Sequence, residues 1–236
     1  MRKGLTGFQL KLIAIAAMLI DHVAWAFVDT GTSIGQLMHF VGRITGPTMC
    51  FFIAEGYRHT RSLPRYLARL AVFAALSQVP FAYYNMGRAS LFPLNVIYTL
   101  GLGLLAVHCM ETVSESKQWL VITALVLLSV PADWGIYGVF LCMAFYGWRE
   151  NWRKLSLVVS AGAVGLTVMQ VAALMAGGYD FWPAVSQSWF HLGIVINVFL
   201  LPLYNGERGG GAWGRWIFYV FYPLHLAILG WLRWGL

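Results

Sequence analysis

Charge is what this chain has least of. Only 11% of its 236 residues are charged, and only nine are acidic, where an ordinary soluble domain carries about 25% charged residues. Hydrophobic residues make up 59%, and the mean hydropathy is +0.68. Too little polar side-chain surface exists to face water, which excludes a soluble globular domain and predicts an all-α, polytopic transmembrane helical bundle. Cysteine is also scarce: Cys50, Cys109 and Cys142 lie in or beside apolar runs without C-x-x-C spacing, which predicts buried thiols and excludes a disulfide framework or a zinc knuckle. H-E-x-x-H and G-x-S-x-G are missing, which argues against an intramembrane metalloprotease or serine hydrolase of those types. No internal repeat or low-complexity stretch is visible, and no metal-ligand spacing is present.

What is present is a series of apolar runs. A membrane-crossing helix needs about 20 apolar residues. Such runs recur near 8–28, 35–57, 65–84, 94–111, 118–131, 134–148, 154–176, 186–205 and 214–234. They make about nine spans, with a range of about eight to ten, because the fifth and sixth are short and meet at "VPADWG". Residues 1–236 read as a single membrane domain. The net charge of +7 sits in short loops and needs no nucleic acid. With the N-terminus in the cytoplasm, Arg2, Lys3, Arg58, Arg61, Arg65, Arg69, Lys117, Arg149, Arg153, Lys154, Arg208 and Arg215 lie inside, and Arg88 and Arg233 outside. That bias predicts N-in, C-out. "AWA" at 24–26 resembles a signal-peptide cleavage site, but Asp21 and His22 interrupt the run before it, so no cleavage is expected. The glycines of "NGERGGGAWGR", residues 205–215, predict a mobile cytoplasmic loop.

Against this apolar background the polar residues stand out. Asp21 lies roughly 10 Å below the outer end of the first helix, and Arg43 falls at a similar depth on the second. Opposite charges at one level relieve each other's desolvation. An ion pair between helices is the plain structural role, and intramembrane ionisable groups are otherwise functional candidates. His22 sits about 100° round the helix from Asp21 and can exchange protons near neutral pH. Lys11, eleven residues earlier, shares a face with His22 at a distance of roughly 16 Å. A cation near the cytoplasmic end and a base deeper in the membrane suit a long ligand with an anionic head and a reactive tail. "AEGYRHTRSLPRYLAR", residues 54–69, adds arginines at 58, 61, 65 and 69, which serve either as cytoplasmic anchors or as a phosphate-binding mouth. Glu55, one turn before His59, is expected to pair with Arg58 or His59. In "FYPLHL" Pro223 kinks the last helix beside His225, so Glu55, His59 and His225 are possible cavity-lining residues. His39, His108 and His191 lie near predicted helix ends and receive no role.

Three stretches, "GLTGFQLKLIAIAAMLIDH", "VGRITGPTMCFFIAEGYRHTR" and "RYLARLAVFAALSQVPF", together resemble the TraX family. That family is named for a conjugation protein associated with acetylating the N-terminus of F-type pilin. The resemblance is dense over residues 4–85 and returns at "IFYVFYPLHL", residues 217–226. Lys11-x10-His22 and Arg58-x2-Arg61 also resemble the basic-x10-His and Arg-x-x-Arg patterns of integral-membrane acyltransferases that acetylate surface glycans.

The resemblance implies an acetyltransferase of the cell (inner) membrane, using cytoplasmic acetyl-CoA and an acceptor that is a peptide N-terminus or a glycan hydroxyl. It implies that His22 is the base and that Lys11, Arg58 and Arg61 contact the coenzyme. In such a reaction Asp21 would assist His22, and Arg43 would stabilise the tetrahedral intermediate. A competing reading is a proton-coupled transporter gated by Asp21, His22 and Arg43, although the internal repeat of many such proteins is missing. A haem-bearing subunit would need paired histidines at matching depths, which are not evident.

Overall fold

The computed structural model describes residues 4–211, 214 and 216–235. Arg2, Lys3 and Arg215, which entered the orientation argument, lie outside the described residues. Among the described residues the regular structure is helical, with isolated β-bridges at Leu5–Tyr204 and Leu94–Ala132 and no strand. The α-helices are α1 (Gly7–Phe27), α2 (Ser33–Gly42), α3 (Thr45–His59), α4 (Leu63–Met86), α5 (Val96–Thr112), α6 (Glu115–Ser129), α7 (Gly135–Gly147), α8 (Trp152–Ala176), α9 (Phe181–Ser186), α10 (Ile196–Leu200) and α11 (Trp216–Trp234). Tighter 3₁₀ turns at Trp189–Val195 and Leu201–Leu203 flank α10. Each apolar run predicted from the sequence therefore falls on helix. Five helical segments, Gly7–Phe27, Ser33–His59, Trp152–Ala176, Phe181–Leu203 and Trp216–Trp234, are long and apolar enough to cross a membrane. The protein is an all-α membrane protein.

Two of the expected helices are broken. The second divides into α2 and α3 because Pro47, in the first turn of α3, has no N–H to give to the carbonyl of Arg43 four residues earlier. The eighth, 186–205, divides into α10 and the 3₁₀ turns, with Pro202 in the last of these, and α9 precedes it.

The chain packs as two compact units, Met1–Thr48 with Trp152–Phe218 and Met49–Asn151 with Tyr219–Leu236. In the first, α1 packs on α2, and the 3₁₀ turn at 189–195 packs on both α2 and α8. Leu10, Ala14 and Ala24 of α1 are fully buried. The start of α1 leaves no first-turn N–H unpaired. Gly7 and Phe8 donate to the carbonyls of Glu207 and Arg208, Gln9 donates to Thr6 Oγ1, and Leu10 donates to Thr6 O. The Gln9 side chain returns a bond to the Thr6 backbone, completing a capping box. The expected mobile loop is thus, over its described part, a strap: Asn205 N–H reaches Leu5 O, and residues 207 and 208 cap α1. Its glycines serve close approach. Gly210 has φ +74°, and a Cβ there would strike the Phe8 ring.

In the second unit α5 packs against α4, α6 and α7. Leu102, Ala106 and Val139 form a buried cluster extended by Tyr98, Leu105, Leu125, Val126 and Met143. The α5–α7 approach depends on small residues: Gly103 faces Cys142, and Gly138 faces Thr99. Such pairs let helix backbones come close where lipid supplies no hydrophobic drive. The three thiols are free and buried, as expected.

Candidate functional site

The first unit contains a buried ionic cluster. Asp21 is 8% exposed. Its Oδ2 accepts a 2.7 Å hydrogen bond from Arg43 Nη2, and its Oδ1 lies 2.8 Å from His39 Nδ1. Arg43 reaches inward because it caps the C-terminus of α2, where its backbone N–H still bonds His39 O. His39 lies four residues earlier, one turn away on the same face, so both side chains reach the same carboxylate. Gly42 permits this: a Cβ there would occupy the position of the Asp21 side chain. The carbonyl freed by Pro47 is met by Asn197 Nδ2 at 3.4 Å, and Asn197 Oδ1 accepts from Thr48 at 2.9 Å. Thr45 Oγ1 donates to Ala14 O at 2.8 Å, fixing the start of α3 on α1. The carbonyl freed at the break is therefore hydrogen-bonded, as irregular backbone at membrane depth calls for.

Aromatic rings enclose the cluster. Trp25 lies over His39 with ring centroids 4.1 Å apart, and Phe190 is 5.4 Å from the same imidazole. The Arg43 guanidinium carbon lies 5.2 Å from the Phe190 ring centre. Gln36 fixes the wall by accepting from Phe190 N–H and donating to Thr30 O. His191 follows Phe190 and stacks against it at 4.2 Å. Among the described residues no hydrogen-bond partner meets His39 Nε2 or His191 Nδ1, and both atoms are buried.

The expected pairing of Asp21 with Arg43 is present. His22 is half-buried on the adjoining face of α1. Lys11 lies on the same unbroken helix, with its ammonium 5.6 Å from the centre of the Phe218 ring. Sequence reasoning gave His39 no role. Its spacing from Arg43 was the available signal, because an i, i+4 pair on one face reaches one partner.

The second unit contains an open cavity of about 620 Å³, lined by Tyr57, Arg58, His59, Thr60, Arg61, Leu63, His108, Tyr146 and Arg149. Arg58 lies over the Tyr146 ring at 4.5 Å and donates to Tyr146 O at 2.5 Å. Tyr57 OH is 2.9 Å from His108 Nδ1. Glu55 is buried, and its main partner is neither of those expected: Arg149 grips it in fork geometry, Nε to Oε1 at 2.7 Å and Nη2 to Oε2 at 3.1 Å. His59 stands further off at 3.8 Å with its side chain 70% exposed. Arg58, Arg61 and His59 thus share one cavity, and Glu55 reaches it through Arg149. His225 is buried in α11, where Nδ1 bonds Phe221 O at 2.8 Å and the ring stacks on Phe221. It does not line this cavity. Arg149, Tyr57, His108 and Tyr146 are contributions that no local spacing announces.

A buried carboxylate–guanidinium pair at a broken helix, together with an arginine-lined cavity, places the chain among α-helical membrane proteins with polar sites built into apolar helices. The chain belongs to the TraX family, described as TraX protein, which it matches over residues 6–233. It is also similar to a protein of Dichelobacter nodosus named "Probable fimbrial assembly protein FimC, serogroup H1". The two are 36% identical over 239 residues, covering 95% of this chain and 94% of that one. No solved structure matches.

Proposed function

We propose that this protein is a multi-pass acetyltransferase of the inner membrane that moves an acetyl group from cytoplasmic acetyl-CoA to a peptide N-terminus. The observation that carries the reading is the cavity of the second unit. Arg58, Arg61 and Arg149 supply guanidinium groups, and Tyr57 and Tyr146 supply aromatic walls. Phosphates call for the first and a nucleotide base for the second. The similar protein's name concerns fimbrial assembly, and this supports a pilus subunit as acceptor over a surface glycan.

In the first unit Lys11 supplies a cation on the helix that carries His22. His22 takes the acceptor's proton as its nitrogen attacks the thioester carbonyl. The carbon–sulfur bond then breaks, and the coenzyme leaves as a thiol once the proton is returned to sulfur. Arg43 supplies positive charge for the oxyanion. Asp21, held by Arg43 and His39, places a fixed carboxylate beside His22.

The test is transfer of label from acetyl-labelled coenzyme to a free peptide amine, with His22→Ala as control. Transfer by the wild type and its loss in the variant support the reading. Transfer that persists in His22→Ala removes His22 from the chemistry. The break beside Asp21 also favours a second reading, since transporters place ion sites at interrupted helices. A proton-coupled transporter would move solute without any dependence on acetyl-CoA.

A further inference from the structure

The structure assigns a subsite to the acceptor. We propose that His39 Nε2 accepts a hydrogen bond from the terminal amine of the peptide to be acetylated, with His191, Trp25 and Phe190 completing the subsite. This rests on the acetyl-transfer reading above.

The tautomer of His39 follows from its neighbours. Asp21 is ionised against Arg43 and can only accept, so the nitrogen facing it, Nδ1, carries the hydrogen. In the tautomer that places the hydrogen on Nδ1, Nε2 presents a bare lone pair. The residue is 0% exposed, and no partner among the described residues meets that atom. A buried acceptor of this kind calls for a ligand, a role in chemistry or an ordered water.

An N–H or O–H group satisfies an imidazole lone pair, and amine and hydroxyl acceptors of an acetyl group carry one. The surroundings favour an amine. Trp25 and Phe190 are apolar walls, with ring centroids 6.1 Å apart. His191 Nδ1 is likewise buried with no hydrogen-bond partner among the described residues. An amine can give one hydrogen to His39 Nε2 and keep the other for His22, whereas a sugar would bring several hydroxyls that need partners. The positive charge of Arg43, 5.2 Å from the Phe190 ring centre, disfavours an ammonium and selects the neutral, nucleophilic form. Trp25 covers His39 and is itself 42% exposed.

The test uses purified full-length protein, acetyl-CoA and tetra-alanine amide with a free amino terminus, with methyl glucoside as the hydroxyl probe. His39→Asn keeps a donor near the Nδ1 position for Asp21 but removes the Nε2 atom. His39→Gln places an amide group near the Nε2 position. His39→Asn should raise the KM for the peptide about tenfold or more, with a much smaller change in kcat and none in the KM for acetyl-CoA. His39→Gln should recover part of the loss. His191→Ala, at a less buried position, should raise the same KM several-fold and decides the matter if His39→Asn does not fold. Transfer to the peptide with unchanged KM in the folded variants overturns the subsite and leaves acetyl transfer standing. Transfer to the glucoside alone also overturns it. No transfer to either probe by the wild type overturns both readings.

Discussion

Asp21 is the residue on which the first unit turns. Its carboxylate is met by a guanidinium at 2.7 Å and an imidazole at 2.8 Å, and the side chains of Asp21 and Arg43 are only 12% and 13% exposed. Removing one partner of such a pair leaves an uncompensated buried charge. Arg43→Ala should therefore destabilise the protein by about 3–5 kcal/mol. Replacing both residues with alanine should cost much less than the two single alanine changes summed, because the unpaired charge is then gone. Denaturant unfolding in detergent, run as a double-mutant cycle, measures this coupling. Additive losses would mean that the pair contributes nothing as a pair. The pairing of Asp21 with Arg43 was legible in the sequence because opposite charges in an apolar run have few ways to be satisfied. The part played by His39 was not assigned, since a histidine near a predicted helix end has many plain explanations. Glu55 shows the limit of local spacing: its fork partner, Arg149, is 94 residues away.

At the scale of elements, the sequence announces helices well and breaks poorly. Apolar runs located every helix but α9, because length and hydropathy are properties of a window. The break at Arg43 turns on a single missing N–H at Pro47, which hydropathy does not register. The strap at residues 204–211 was not legible in the sequence for a related reason. A glycine run signals conformational freedom, yet here the missing side chains let the backbone lie against Thr6 and Phe8. Gly210→Ala should cost about 1–3 kcal/mol, since it combines a positive φ with overpacking against Phe8. The amides of Gly7 and Phe8, which donate to Glu207 and Arg208, should exchange hydrogen faster in that variant. Unchanged exchange would show that α1 is capped without the strap.

For the whole molecule, family membership and the chemistry of each unit point the same way. One unit holds a buried, charge-balanced cluster beside a histidine, and the other holds a cavity rich in arginine. The central claim is that this cavity binds the coenzyme, and thermal unfolding of the purified protein with and without acetyl-CoA tests it most directly. A ligand that binds only the folded state at about 100 times its Kd stabilises by about 2.7 kcal/mol. The wild type should show a clear rise in Tm, and Arg58→Ala combined with Arg61→Ala should lose most of it while remaining folded. No rise in folded wild-type protein at saturating acetyl-CoA, or an equal rise in the double variant, would contradict the account.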